Sequence, residues 1–338
     1  MKTFSKHKMR NSIILLTVAF VLFISLAYVG KDYEGSAIVK YHGYDKCIEL
    51  KNSDVRIVLG PDLGGRILGY ELNGNNVLYH NPKQDGIIYK PGVTGINPDA
   101  GRCDIGPEMI TPSRPALFLG KWEGEITGDR EGRLISQKDT STGVQLIRNF
   151  KLDERGSRLT YTQIIKNISN ETKYYCHWSR TFVKGGGISL SPLNTRSRFP
   201  KGYLLYGPGR VMDFRPADEP NVRERNGILE IIGAPGRPKF VFDLEVGWLA
   251  YITKDNQLFV KKFPVYPDRV YGEMSAANAC VWYNTEELMC EIEPIGPMET
   301  IKPGEEVSFT ETWYLFDYKY PEDKLPDQEK ITSIISKL

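Results

Sequence analysis

The sequence predicts an all-β domain of antiparallel strands. Short runs of alternating apolar and polar residues recur from residue 46 onward, and turn residues separate them. The 32 Gly and 21 Pro residues are spread along the chain rather than gathered in one linker. Few windows have helical periodicity, so a parallel sheet with crossover helices is not expected. A single oversized sandwich or barrel accounts for these three observations.

The predicted strands follow one another closely, and turn-forming residues such as Gly60-Pro61 and Asn73-Gly74 precede several of them. The stretch from Asn81 to Lys121 is rich in Gly and Pro, so we expect a long irregular segment that lines a site. In chain order the predicted strands are Cys47–Lys51, Val55–Leu59, Arg66–Leu72, Val77–Tyr79, Gly132–Gln137, Val144–Leu152, Arg158–Lys166, Lys173–Val183, Ile228–Ile232, Phe240–Phe242, Trp248–Thr253, Leu258–Phe263, Ala279–Tyr283, Glu287–Ile292 and Val307–Phe316.

Both ends of the chain predict helices. Residues 13–29 contain no charge and come after four basic residues, which is typical of a segment that inserts into a membrane and exports the rest of the chain. This N-terminal hydrophobic helix is either an uncleaved signal anchor or a signal peptide cut near Ser25-Leu26-Ala27. At the other end, roughly residues 322–336 have apolar residues spaced for a short amphipathic helix.

The predicted organisation has four parts. A signal anchor or signal peptide covers residues 1–30, a linker 31–45, the β domain 46–317 and a C-terminal tail 318–338. The expected location is therefore membrane-anchored with an extracytoplasmic domain, or secreted or periplasmic if the leader is cleaved.

The charge balance bears on the kind of partner. The net charge is +2, and removing the four basic residues of the leader leaves −2 for residues 31–338. A nucleic-acid partner would call for a clustered basic surface, so none is expected. The five Cys residues have neither zinc spacing nor a CxxC pair, and we predict that they are small buried hydrophobes.

Three ordered segments resemble the galactose-mutarotase-like, or aldose 1-epimerase, superfamily. The first is Val58–Ile67 with the following Asn73–Leu78, and the second runs from Asn167 to Trp178. The third joins Cys290-Glu291-Ile292-Glu293-Pro294 to Ile301-Lys302-Pro303-Gly304-Glu305 and Thr312-Trp313. The resemblance spans most of residues 46–317 and implies a β-supersandwich fold and sugar 1-epimerisation, an isomerase activity.

The same resemblance implies two catalytic residues. Epimerisation needs a base for the anomeric hydroxyl and an acid for the ring oxygen. Glu293 matches the family's base and His177 its acid. One departure bears on activity: no His lies between Asn81 and Cys176, and His80 is too early to replace the family's second His.

Six further residues are candidates for substrate binding. Trp178 can stack on a sugar ring, and Arg102 and Arg180 can pair with hydroxyls or a carboxylate. Glu108 lies in the irregular segment, and Glu273 and Lys261 precede the Glu293 strand. No spaced metal motif accompanies the acidic residues, so neither a metal nor a cofactor is predicted.

Two functions of different classes remain open. One is an exported carbohydrate-binding protein with 1-epimerase activity, and the other is a non-catalytic glycan-binding or cell-envelope protein on the same fold. An accessory domain of a polysaccharide lyase ranks third, because the helical toroid that accompanies such sandwiches is missing.

Overall fold

The computed structural model describes residues 32–207, 211–284, 286 and 288–338. Two antiparallel sheets dominate this part of the chain. The first, called the large sheet, has 13 strands: β1 (Ser36–Tyr41), β2 (Tyr44–Lys51), β3 (Val55–Gly60), β4 (Arg66–Leu72), β5 (Asn75–Asn76), β6 (Gly101–Gly106), β11 (Lys173–Lys184), β13 (Tyr203–Tyr206), β14 (Met212–Asp213), β17 (Lys239–Phe242), β20 (Ala279–Tyr283), β21 (Met289–Pro294) and β22 (Glu299–Ile301).

The second, or small, sheet has 10 strands. In chain order they are β7 (Glu123–Gly128), β8 (Glu131–Ile135), β9 (Val144–Leu152), β10 (Leu159–Asn167), β12 (Ile188–Pro192), β15 (Val222–Arg225), β16 (Ile228–Ile231), β18 (Trp248–Ile252), β19 (Gln257–Lys262) and β23 (Glu306–Asp317). Their order across the sheet is β15-β16-β12-β18-β19-β23-β10-β9-β8-β7.

The main core lies between the inner faces of the two sheets. Ile57 and Ile67 of the large sheet share one apolar cluster with Phe150 and Trp313 of the small sheet. Strand alternation therefore gives each sheet an inner face toward this core and an outer face. The central strands of the large sheet run in the order β4-β6-β11-β21-β20-β17, and their outer face carries the candidate site.

The described residues also form two α-helices, α1 (Pro115–Leu119) and α2 (Gln328–Ser336), and two short 3-10 helices, Pro82–Gln84 and Met274–Ala276. Ile331 and Ile335 of α2 pack against Trp248 and Tyr314 on the outer face of the small sheet. Helix α2 begins later than the predicted residue 322 because Asp327 caps it: its carboxylate accepts the Lys330 N–H at 2.9 Å. Leu325 lies before the helix and is half exposed.

The all-β prediction is confirmed, and most predicted strands agree within two residues. Arg66–Leu72, Val144–Leu152 and Ala279–Tyr283 have the predicted bounds. Val77–Tyr79 is not a strand, since Leu78 makes only one isolated bridge, to Val183. Strand β6 lies within the segment expected to be irregular.

The N-terminal boundary also differs from the expectation. Strand β1 pairs with β2, so the large sheet begins within residues 31–45, which the sequence suggested as a linker. The proposed hydrophobic helix at residues 13–29 lies outside the described residues. Within the described ranges, no helix is long and apolar enough to cross a membrane. All five Cys residues are buried and none forms a disulfide.

Candidate functional site

Strand β11 sends side chains to both faces of the large sheet because successive residues of a strand point in opposite directions. Trp178 and Arg180 lie on the outer face, where both approach Glu293. Ser179 and Thr181 lie on the inner face, where both contact Lys261 of the small sheet. The register pairs Trp178 with Asp104 and Arg180 with Arg102 across β6.

Glu293 on β21 is fully buried and has a partner at each carboxylate oxygen. The indole N–H of Trp178 donates to Oε2 at 2.8 Å, and the Lys239 ammonium lies 2.5 Å from Oε1. Lys239 comes from β17 and Trp178 from β11, which flank the β21–β20 pair on its two sides. Three strands therefore fix the position of this carboxylate.

The surroundings of Glu293 raise its pKa to about 7. Burial is the largest cause, and the neighbouring Glu291 carboxylate adds to it. Lys239 and Arg180 act in the opposite direction but do not outweigh burial. For Lys239 the balance is reversed: burial is the largest single effect and opposes its charge, but Glu293, Cys280 and Glu291 together outweigh it and raise the Lys239 pKa.

Glu291 occupies the same outer face two residues earlier and is held by Arg180. The Arg180 Nε donates to Glu291 Oε1 at 2.8 Å, and the same nitrogen lies 3.8 Å from Glu293 Oε2. Burial opposes ionisation of Glu291, but Arg180 and Lys239 outweigh it and lower its pKa. The two carboxylates thus differ: Glu291 stays ionised while Glu293 is ready to exchange a proton near neutral pH.

Strand β6 adds a second pair of outer-face residues, Arg102 and Asp104. Arg114 holds Asp104 through Oδ1 at 3.0 Å, whereas the nearest Arg102 nitrogen is 3.9 Å from Oδ2. The Nε of Arg102 is buried with no hydrogen-bond partner. Burial, followed by the nearby Arg180, lowers the Arg102 pKa to about 10. Arg102 is therefore a buried cation with unused donor capacity.

The segment after β6 closes over one side of this arrangement. Glu108 Oε1 accepts from Arg180 NH1 at 3.1 Å, and its backbone N–H donates to Glu273 Oε2 at 2.7 Å. A Cβ at Gly106 would lie 2.8 Å from both the Glu273 carboxylate and the Cys176 sulfur, so Gly at this position leaves room for the Glu273 side chain. Met109 and Ile110, next to Glu108, are exposed apolar residues.

We call these residues the charged cluster. It combines four cations and four carboxylates around the Trp178 ring: Arg102, Arg114, Arg180, Lys239, Asp104, Glu108, Glu291 and Glu293. The Arg180 guanidinium lies 4.7 Å from the centre of the Trp178 ring. Side-chain exposure is 50% for Glu108, 15% for Arg180 and 13% for Lys239, whereas Glu293 is sealed beneath them. A ligand would reach the cluster through these three side chains.

His177 is not in the cluster. It is buried on the inner face, and its ring stacks against Phe309 of the small sheet with the ring centres 5.9 Å apart. Burial lowers the His177 pKa to about 3, so its imidazole is neutral at physiological pH. The expected His177–Glu293 pair is therefore not formed, because the two side chains lie on opposite faces of one sheet. His177 and Trp178 are consecutive residues of one strand, so alternation alone predicts that their side chains lie on opposite faces.

Lys261 also lies away from the charged cluster. It is fully buried on the inner face of the small sheet, where its ammonium is 3.0 Å from Glu311 and 2.7 Å from Ser179 Oγ. It therefore lies between the sheets and not with the other predicted substrate-binding residues on the outer face. Glu273 contacts the cluster through the Glu108 backbone N–H.

Four members of the cluster were not among the predicted site residues: Lys239, Glu291, Asp104 and Arg114. Glu291 could have been predicted from the sequence, because residues two apart in a strand lie on the same face and Glu293 was already a candidate. Lys239 was missed because the predicted strand began one residue later, at Phe240. Its proximity to Glu293 depends on the order β21-β20-β17, which strand patterns do not contain.

A cleft of about 670 Å³ lies next to the start of β20, where Asn278 precedes the strand. Tyr266, Tyr271, Arg198 and Asp243 are among its lining residues, together with Asn278. None of the cluster residues lines the cleft. We take the charged cluster rather than this cleft as the candidate site, because the cluster contains Glu293, a buried carboxylate with fixed partners and a pKa raised to about 7.

Comparison with protein-family models gives no match, and neither does comparison with curated protein sequences. Solved structures do match. A galactose mutarotase-like protein from Clostridium acetobutylicum is 14% identical with a TM-score of 0.56, over 84% of this chain and 99% of its own. A galactose mutarotase related enzyme from Lactobacillus acidophilus is 11% identical with a TM-score of 0.55, over 81% and 98%.

A galactose mutarotase-like protein from Lactobacillus casei is similar to the same degree, 10% identical with a TM-score of 0.54, over 80% of this chain and 100% of its own. These likenesses show that the chain has the galactose mutarotase-like fold. The fold that the sequence resemblance implied is thus confirmed.

Proposed function

We propose that this protein binds a sugar or glycan at the charged cluster. One observation carries the proposal: cationic side chains, carboxylates and the Trp178 indole converge on the outer face of the large sheet. They come from strands β6, β11, β21 and β17. Sugar hydroxyls both donate and accept hydrogen bonds, so carboxylates beside guanidinium groups suit them. Arg102, with its unpartnered buried Nε, has donor capacity for a ligand oxygen. The names of the fold neighbours support the same class of ligand.

Epimerisation at the anomeric carbon is a second candidate function for the same site. A Glu293 pKa of about 7 suits a general base at neutral pH. With His177 on the other face, Lys239 is the cation positioned to act as the acid. Glu293 would take the anomeric hydroxyl proton while Lys239 gave a proton to the ring oxygen. The ring C–O bond would break to give the open-chain aldehyde, and closure on the other carbonyl face would reverse both transfers.

Two observations favour binding without catalysis. Glu293 is fully buried beneath Arg180 and Lys239. Among the described residues, the cluster contains no His. Binding alone needs only the exposed edges of Glu108, Arg180 and Lys239. We therefore rank glycan binding first and epimerisation second.

Saturation-transfer NMR with a panel of free aldoses and uronic acids tests the binding proposal. The full-length chain in a sugar-free detergent should transfer saturation to at least one sugar. Arg180→Gln should weaken that transfer, whereas the control Glu230→Gln should not. Glu230 is also a buried carboxylate between two arginines, Arg223 and Arg225, but it lies in the small sheet. Equal transfer in the parent chain and Arg180→Gln would contradict the proposal.

Anomer exchange, observed in the same samples, separates the two candidate functions. Accelerated exchange in the parent chain that disappears in Glu293→Gln would assign the epimerase. Saturation transfer without acceleration would assign a binding protein. Acceleration that survives in Glu293→Gln would remove Glu293 from the mechanism.

We further propose that residues 13–29 carry the body out of the cytoplasm, either as an uncleaved anchor or as a cleaved signal. This segment contains no charged residue and follows four basic residues, and both features support the proposal. Cell fractionation with N-terminal sequencing of the mature chain tests it. A body recovered in the cytoplasm with the leader intact would contradict export.

A further inference from the structure

We propose that His42, His80 and Asp85 form a binding site for a divalent transition-metal ion such as Zn²⁺. This site lies at the β1–β2 turn and the segment after β5, and its residues are not part of the charged cluster. It stands independently of the proposed sugar-binding function.

Backbone contacts bring the three residues together from distant parts of the chain. His42 has a φ of 47° and Gly43 a φ of 78° in the tight turn between β1 and β2. The Gly86 N–H donates to the His42 carbonyl at 3.0 Å, which fastens this turn to the segment carrying Asp85. A Cβ at Gly43 would lie 2.8 Å from the Gly86 nitrogen, so the close approach requires Gly. The two ligand-bearing segments are thus held together before any ion binds.

The side chains are close enough to share one ion. The two imidazole rings stack with centres 3.6 Å apart and an angle of 15° between their planes. His80 Nε2 is 2.5 Å from Asp85 Oδ1, and His42 Nδ1 is 3.9 Å from Oδ2. One ligand atom from each residue lies within 4.8 Å of the others. Ligands of a tetrahedral zinc ion lie roughly 3.3 Å apart, so small side-chain rotations suffice.

The ligand types and their exposure indicate the class of ion. Two imidazoles with one carboxylate suit zinc and related first-row ions, whereas Ca²⁺ and Mg²⁺ prefer oxygen ligands alone. The three side chains are 26–36% exposed, which leaves one side open for water. The three side chains line a small cavity of about 10 Å³ together with Gln84, which is buried and whose amide nitrogen has no hydrogen-bond partner. This donor is available to a water or anion bound to the metal.

Zinc binding by the untagged full-length chain tests the proposal. Competition with a chromogenic chelator should give one Zn²⁺ per chain, and a large excess of Mg²⁺ should not displace it. His80→Gln and Asp85→Asn should each weaken binding at least about tenfold. His42→Asn should do the same while keeping the turn, since Asn tolerates a positive φ. The control Asp45→Asn, an exposed carboxylate of the same hairpin, should bind like the parent chain.

A second measurement does not depend on the variants being folded. The X-ray absorption spectrum of the Zn²⁺-loaded parent chain should show two imidazole ligands and no sulfur. Zn²⁺ should also raise the melting temperature of the parent chain but not that of His80→Gln. The proposal is overturned if the parent binds no stoichiometric Zn²⁺, if the spectrum shows sulfur ligands, or if the ligand variants bind as tightly as the parent.

Discussion

At the scale of single residues, the difference between Glu291 and Glu293 is the feature with the most direct chemical consequence. Both carboxylates are buried on one face of β21, yet Arg180 keeps the first ionised while burial and the first carboxylate hold a proton on the second. Two adjacent carboxylates with separated pKa values are a common arrangement where proton transfer or hydrogen-bond donation is needed. This difference gives a prediction about stability and pH.

Glu293→Gln should gain stability relative to the parent chain as the pH rises from about 4.5 to about 7. The folded parent keeps a proton on Glu293 that the unfolded chain releases near pH 4.5, so folding of the parent becomes less favourable across this window. The resulting gain in the free energy of unfolding of Glu293→Gln over the parent should be at most on the order of 3 kcal/mol. Chemical denaturation at a series of pH values measures it.

Glu291→Gln provides the matched control for that titration. The lowered pKa of Glu291 stabilises the parent chain above the unfolded pKa of 4.5, and this contribution is lost only as the pH falls below it. The free energy of unfolding of the parent should therefore exceed that of Glu291→Gln by a constant amount between pH 5 and 8. The one change expected in this range comes from Glu293, whose pKa depends on Glu291. A difference for Glu293→Gln that stays flat from pH 4.5 to 7 would contradict the raised pKa.

Arg180→Lys should reduce sugar affinity about tenfold, or about 1.4 kcal/mol. Arg180 contacts Glu291 through one nitrogen and Glu108 through another, and it also stacks on Trp178. A Lys ammonium keeps the charge but cannot make these contacts together. NMR titration with the best sugar of the panel measures the change, and Lys184→Arg on the exposed end of the same strand is the control. Unchanged affinity in Arg180→Lys would remove Arg180 from the binding site.

At the scale of elements, a buried lysine of the small sheet, Lys261, pairs with Glu311 of the same sheet and contacts the large sheet. Lys261 of β19 lies 3.0 Å from Glu311 of β23 and donates to Ser179 and Thr181 of β11. Glu311 also accepts from Gln163 and from the Trp313 indole N–H. These contacts fix the position of β11 over the small sheet, and β11 in turn carries Trp178 and Arg180.

Lys261→Met should lower the free energy of unfolding by roughly 3–5 kcal/mol, because it leaves the Glu311 charge buried without its cation. The double variant Lys261→Met with Glu311→Gln should recover part of the loss, since it removes both charges. Urea denaturation of the three proteins measures the effect. A double variant no more stable than Lys261→Met would show that charge burial is not the cause.

Helix α2 gives a smaller prediction on the outer face of the small sheet. Asp327→Ala should cost about 1 kcal/mol, because its carboxylate caps the helix through the Lys330 N–H. Ser333→Ala, at an exposed position within the same helix, is the control. Thermal unfolding compares them, and an equal effect of the two substitutions would exclude capping as the reason.

At the scale of the whole molecule, local patterns predict the sheets, whereas strand order assembles the site. The apolar runs between turn residues locate β4, β9 and β20 to the residue. Strand alternation indicates that Glu291 accompanies Glu293 and that His177 opposes Trp178. It does not place Lys239 beside Glu293, because that contact depends on β17 lying two strands from β21. Nor does it bring His42 to His80, which requires the contact between their loops.

The most direct test of sugar binding at the charged cluster is the ¹⁵N NMR spectrum of the Trp indoles during a sugar titration. Trp178 donates to Glu293 on the outer face, whereas Trp313 donates to Glu311 between the sheets. Trp178→Phe and Trp313→Phe assign the two indole resonances. We predict that sugar shifts the Trp178 resonance and leaves that of Trp313 in place. A sugar that binds without moving the Trp178 resonance would contradict binding at the charged cluster.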